Sequence, residues 1–217
     1  MEFRVEAGRP DRHALSQAAA ILRDGGIVAY PTDTLYGLAA SPGSAAAMAQ
    51  LYRIKGRPVD AAIPLIAAGI AQIEAAGGRL GPATRRLAER FWPGPLTLIR
   101  PAWAGLDPGV HAGLGTVAVR VPDHPVARML AELHDGLITA TSANKSGEPA
   151  TVDPAEVRRT LGAALDALID AGPSPGGPPS TIVDASGPEP RLIRAGAVPW
   201  SRVLEFLEQP SPPGVTS

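Results

Sequence analysis

Between Asp11 and Gly26 the apolar residues Leu15, Ala18, Ala19 and Leu22 recur at i, i+3, i+4 and i+7. That spacing is one face of a helix, closed by the Gly25-Gly26 pair. Residues 27–30 are instead an unbroken apolar run, too short for a helix and stopped by Pro31, so a buried strand is predicted. Residues 3–6 read as an opening strand. Ser44 can cap a second helix through Met48, Leu51 and Tyr52 that ends near Gly56. A strand at 63–67 follows, then a helix with Pro82 in its first turn and Leu87, Ala88 and Phe91 along it. Residues 96–99 and 116–121 are β-branched and apolar enough for central strands. Then come a helix at 124–133, a strand at 137–141 and a short helix at 154–161; 165–170 fits either state. Two late strands at 180–184 and 191–194 and a closing helix at 199–207 complete the pattern.

Strands alternate with helices, which predicts an α/β fold with a mixed sheet. No internal repeat interrupts it, and the Pro/Gly-rich stretches are too short to link two domains. One domain over 1–209 is expected, with 210–217 a Pro-rich flexible tail.

With 45% hydrophobic and 19% charged residues, the chain can build a full core. No apolar stretch approaches the ~18 residues of a membrane span, and the opening residues do not read as a signal peptide. A cytoplasmic protein that avoids membranes is expected. The absence of cysteine excludes disulfides, thiolate zinc sites and a cysteine nucleophile. A net charge of −1 speaks against a protein that chiefly coats a phosphate backbone. All but two of the 20 basic residues are arginine, so Lys55 and Lys145 stand out, as does Asn144, the sole asparagine.

The usual phosphate cradles are missing: no Gly-Lys pair occurs, and no G-x-G-x-x-G follows a strand. His13, His111, His124 and His134 have neither metal-ligand spacing nor an adjacent acid–base partner, and read as surface or helix-end residues. Four polar segments lie instead at element ends, where α/β proteins place ligands. PTDTLYGL (31–38) packs short hydrogen-bonding groups behind a strand. In RIKGRP (53–58), Lys55 and Arg57 straddle a glycine, so in an extended stretch both would point to one side. Alternatively, the two are simply cations serving a helix C-terminus. In TVAVRVP (116–122), Thr116, Ala118 and Arg120 share a strand face opposite an all-valine face. Arg120 there is balanced between an anion ligand and a structural ion pair. In TATSANKSG (139–147), Ser142 and Asn144 fall on one side if extended. Ser180 and Arg194 border the two late strands.

Taken in order, these segments resemble the YrdC family, the threonylcarbamoyl-AMP synthases. The resemblance runs from about Gly25 to Val198 and adds FWPGPLTL (91–98), PSTIVD (179–184) and LIRAGAV (192–198). It implies a single twisted α/β domain around a large basic cavity. It also implies formation of threonylcarbamoyl-AMP and pyrophosphate from L-threonine, bicarbonate and ATP, a nucleotidyltransferase reaction. The product would feed the machinery that modifies the adenosine beside the tRNA anticodon. By this resemblance Lys55, Arg57, Thr116, Ser142, Asn144 and Arg194 meet ATP, with Lys55 and Arg57 the catalytic cations. Thr32, Arg120 and Ser180 fall at threonine-binding positions. Mg²⁺ would be held mainly by the ATP phosphates, because no carboxylate cluster offers a cage.

Asp33 is the nearest candidate for a general base, although a turn-capping role suits it better. The chain carries Ala61-Ala62 where the family often has Lys or Asn before Pro, a departure expected to weaken any nucleotide contact from this position. Alanine at Lys55 or Arg57 is expected to abolish turnover with little loss of fold. The competing class is a non-catalytic module binding double-stranded RNA or tRNA, disfavoured by the charge and by only three each of Trp, Tyr and Phe. A hydrogenase-maturation carbamoyl-transfer domain is the third reading, and it lacks its cysteine motifs here.

Overall fold

The short strand at 27–30 organises the molecule, because its side chains alternate between two cores. Ala29 packs with one apolar cluster, while Val28 and Tyr30 pack with the other. In the computed structural model, which describes residues 1–56 and 62–209, the elements run in this order. β1 (Glu2–Arg4) and α1 (Arg12–Arg23) precede β2 (Val28–Tyr30) and β3 (Gly37–Ala39). Then follow α2 (Ala45–Lys55), β4 (Leu65–Ile66), α3 (Ile70–Ala75), α4 (Pro82–Phe91) and β5 (Leu96–Pro101). Next come α5 (Pro108–His111), β6 (Thr116–Arg120), α6 (Pro125–His134), β7 (Ile138–Thr139) and β8 (Thr141–Ser142). The chain closes with α7 (Pro154–Leu161), β9 (Ala167–Asp170), β10 (Thr181–Asp184), β11 (Arg191–Arg194) and α8 (Trp200–Glu208).

The single sheet expected from the sequence divides in two. Five strands run in the order β1-β9-β2-β3-β8 and six in the order β11-β10-β5-β6-β4-β7. Both sheets are mixed: β2 pairs parallel with β9 and antiparallel with β3, and β5 pairs parallel with β10 and antiparallel with β6. The division is made at 137–141, which the sequence presents as one strand. There the chain leaves the six-stranded sheet after Thr139 and enters the five-stranded one at Thr141. Thr139 fixes the corner, since its hydroxyl accepts from Ala40 N (2.8 Å) and donates to Leu38 O (3.2 Å).

Local chemistry accounts for the helices. Asp11 caps α1 through its carboxylate, and Ser44 caps α2 by accepting from Ala47 N. Leu15, Ala18, Ala19 and Leu22 are fully buried and pack α1 against α6, which brings Val126, Ala127, Leu130 and Ala131. A fully buried leucine contributes roughly 1.5–3 kcal/mol. The ambiguous segment 165–170 is a strand, with Ala167, Leu168 and Ile169 all buried. Helices α3 and α5 are too short for their periodicity to show in the sequence.

Candidate active site

Two polar clusters flank the loop joining β2 to β3. That loop, residues 31–36, starts after Tyr30 and ends at Gly37, and these two residues pair across the hairpin. Gly37 also pairs with Ser142 of β8, so Ser142 lies at the level of the loop. The loop's own turn is closed by Thr32. Its hydroxyl accepts from Thr34 N (3.1 Å) and Leu35 N (3.2 Å) and lies 2.7 Å from Leu35 O. The turn-capping role expected of Asp33 therefore belongs to Thr32, and Asp33 is released for other contacts.

The first cluster gathers Lys55, Ser142 and Asn144. Lys55, only 4% exposed, donates from Nζ to Ser142 O (2.6 Å), Asn144 O (2.5 Å) and Asn144 Oδ1 (2.9 Å). Ser142 Oγ donates to Asn144 Oδ1, and Ser146 N donates to Lys55 O (2.8 Å). The expected convergence of Ser142 and Asn144 on one side is observed, and the lysine is what they converge on. Lys55 is the last residue of α2 rather than part of an extended stretch, because Gly56 takes a left-handed conformation (φ 58°) and ends the helix. The extended geometry expected around this glycine is therefore absent at Lys55. Arg57 and Ala61 lie outside the described residues. The expectation that alanine at Lys55 would spare the fold is also revised, since a buried ammonium tied to three acceptors is part of the structure.

The second cluster bridges the two sheets. Arg120, at the end of β6, forms an ion pair with Asp33 through Nη2 and donates from Nε to Gly94 O (3.0 Å). The pair's side chains are only 10% and 11% exposed. Gly94 is presented by the turn in FWPGP, whose Gly94 N donates to Val121 O (2.9 Å). Arg194, exposed overall, lays its guanidinium on Ser180, donating from Nε and Nη2 to the carbonyl (3.2 and 2.8 Å). Ser180 Oγ lies 2.9 Å from Thr97 Oγ1 and 3.2 Å from Arg194 Nη2. Partial burial, followed by the positive charge of Arg120, holds the Arg194 pKa below its usual value, which places the two guanidiniums in one electrostatic neighbourhood. Thr116 joins neither cluster. It stands at the far end of β6, about 13 Å from Arg120 on the same strand face.

His124 was not legible as part of this site. It sits at the N-cap of α6, as a helix-end residue should, yet it is only 6% exposed. Asp33 lies close enough to influence it electrostatically, although no hydrogen bond joins the two. Burial lowers the His124 pKa, with Asp33 and Asp123 opposing. Burial also lowers that of His134, with the Gly136 carbonyl opposing. The unfolded chain takes up these protons near pH 6.5, before the folded one does. Between those pKa values the unfolded state binds more protons, so stability rises with pH and is lost on acidification. The thermal midpoint should therefore fall as the pH drops below about 6.5, and less steeply in His124→Gln. A midpoint that climbs between pH 7 and 5.5 contradicts this.

Fold and clusters together define an α/β protein in which a buried ammonium meets Ser142 and Asn144, Arg120 pairs with Asp33 of the β2–β3 loop, and Arg194 lies on Ser180. Residues 20–196 match the Sua5/YciO/YrdC family model, described as "Telomere recombination". The chain belongs to that family. It is 40% identical over 185 residues to the Threonylcarbamoyl-AMP synthase of Bacillus subtilis, covering 85% of this chain and 54% of the relative. The chain thus spans about half the length of that protein. It is 37% identical over 191 residues to the Threonylcarbamoyl-AMP synthase of Thiobacillus denitrificans, covering 88% of this chain and 96% of the relative. The crystal structure of Pyrococcus abyssi Sua5 complexed with L-threonine superposes with a TM-score of 0.90 at 34% identity, covering 96% of this chain and 61% of that one. No helix among the described residues is long and apolar enough to cross a membrane.

Proposed function

We propose that the chain is an L-threonylcarbamoyladenylate synthase, a cytoplasmic nucleotidyltransferase contained within residues 1–209. The observation that carries this reading is the 37% identity along 96% of the length of the Thiobacillus denitrificans Threonylcarbamoyl-AMP synthase. The substrates are L-threonine, bicarbonate and ATP. The product serves threonylcarbamoyl transfer to the adenosine beside the tRNA anticodon, which makes that transfer machinery the downstream partner. The substrate ammonium first gives up a proton, and the neutral amine then condenses with bicarbonate to a carbamate with loss of water. The carbamate oxygen then attacks the α-phosphorus of ATP, and pyrophosphate leaves.

Chemistry of this kind depends on positioning and on neutralising phosphate charge. Lys55, Ser142 and Asn144 form the nucleotide side, together with Arg57 and Arg194; Thr116, which joins neither cluster, is assigned to ATP by the family resemblance alone. In the ligand-free chain the three protons of Lys55 are matched by three close acceptors, so the ammonium acts by its charge and by shaping the 142–144 backbone. Arg120, Ser180 and Thr32 form the threonine side. Since Nε and Nη2 of Arg120 are already engaged, the substrate carboxylate meets the Nη1 edge of the fork. Among the described residues no three His, Asp or Glu side chains converge. The residues thus do not fit a protein-built Mg²⁺ cage, and Mg²⁺ is assigned to the ATP phosphates, where it supplies charge neutralisation.

The test is pyrophosphate release with each of ATP, bicarbonate and L-threonine left out in turn, and with L-serine or L-valine in place of L-threonine. Release that needs all three substrates and falls off with valine is expected. RNA binding with a steep salt dependence and no turnover would replace the enzyme with the nucleic-acid-binding module.

A further inference from the structure

Asp33 is left half-used by the fold. Oδ1 meets Arg120 Nη2, while Oδ2 is buried and has no hydrogen-bond partner among the described residues. An aspartate serving only as a strut for arginine would close the parallel two-point fork, with each oxygen on its own N–H. Here the pair makes one contact and leaves two complementary groups unused: a buried carboxylate oxygen without a donor, and Arg120 Nη1, which makes no hydrogen bond among the described residues. A buried carboxylate oxygen without a donor is costly until something supplies one. The surroundings supply none among the described residues: His124, whose own Nδ1 is buried without a partner, makes no hydrogen bond to it, and the Tyr30 hydroxyl donates to Thr139 O.

We propose that Asp33 Oδ2 accepts the α-ammonium of the amino-acid substrate while Arg120 Nη1 takes its carboxylate, so the ion pair reads both charges of one α-carbon. This inference rests on the proposed function for the identity of the amino acid. It adds Asp33 to the binding residues and defines the ligand class as zwitterionic α-amino acids, with the neighbouring Arg194 left for a further anionic group. Acids that lack the amine are rejected because Oδ2 then stays dry and unpaired. The carboxylate of Asp33 also fixes where the nitrogen waits before it loses its protons.

The test is calorimetric titration of the full chain with L-threonine and with (R)-3-hydroxybutanoate, which keeps the carboxylate, methyl and hydroxyl but replaces the ammonium by hydrogen. The wild-type chain should prefer threonine by about 10–100-fold, the discrimination of a charge-assisted hydrogen bond. In Asp33→Asn that preference should shrink to within a few-fold, while the preference for threonine over threonine amide, which reports on Arg120, persists. A second variant, Asp33→Ser, covers the case in which the asparagine chain does not fold, and the wild-type ratio needs no variant. Threonine binding with an unchanged ratio in Asp33→Asn, or a wild-type chain that binds both ligands equally, overturns the role of Asp33 and leaves the synthase reading standing. A chain that binds neither threonine, serine nor glycine overturns both.

Discussion

Alanine at Lys55 should cut pyrophosphate release by about 100-fold, the scale of losing one preorganised charge from a phosphoryl-transfer site. It should also lower the thermal midpoint, because the side chain does two jobs. Its ammonium is the hub on which Ser142 O, Asn144 O and Asn144 Oδ1 converge. Removing it leaves Asn144 O without its ammonium donor, while Ser142 O and Asn144 Oδ1 keep only Asn144 N and Ser142 Oγ, a penalty of about 1–3 kcal/mol. For a chain of this size that is roughly 2–12 °C in the midpoint. Lys55→Met separates the two jobs, since it refills the stem volume without restoring the donor. Both variants should lose activity, and the methionine should recover part of the packing but none of the hydrogen bonding. Unchanged turnover in a folded variant would remove Lys55 from the reacting end of the site. Unchanged stability would mean that the 142–144 segment holds its shape without the ammonium.

That double role explains what the sequence could and could not show. Lys55 and Asn144 were conspicuous because a composition rich in arginine and poor in lysine and asparagine had kept them. Their contact, 89 residues apart in the chain, follows only from the pairing of β3 with β8. Arg120 was readable as costly in an apolar strand, and the alternatives of ion pair and ligand were balanced. The structure draws on both, with Nη2 paired and Nη1 left over. Asp33 and His124 were misjudged for one reason: a loop residue and a helix N-cap are ordinarily wet, and neither position reveals in the sequence that a second sheet will fold over it. The two-sheet division escaped for a related reason. Residues 137–141 carry an apolar, β-branched pattern that fits one strand, and the break at Ala140 is imposed by hydrogen bonds from Thr139 to the other sheet. Periodicity sees local structure well and is blind to which partner each edge finds.

The second large effect is expected at a residue with no side chain at all. Gly196, in the LIRAGAV segment, brings its backbone so close to the start of β10 that an added Cβ would lie 2.2 Å from Pro179 O. It would also lie 2.6 Å from both Ser180 C and Thr181 N. All three are backbone atoms, so no rotamer change can relieve the clash. The two segments are also pinned together by Ala197 N donating to Pro179 O (2.9 Å) and by Thr181 Oγ1 donating to Val198 O (2.6 Å). Gly196→Ala must therefore push Arg194 and Ser180 apart from their partners or break those pins. Overpacking of this kind costs about 1–3 kcal/mol, and the midpoint should fall by roughly 2–12 °C. The same displacement should weaken threonine and ATP together, because Ser180 and Arg194 are assigned to different substrates yet hang on one contact. Gly187→Ala is the matched control, since nothing lies within 4 Å of its added methyl. It should stay within about 0.5 kcal/mol of the parent. Thermal melts of the two variants, with the apparent affinity for each substrate, decide the matter: if Gly196→Ala melts and binds like Gly187→Ala, the close approach of these two segments does not hold the site together.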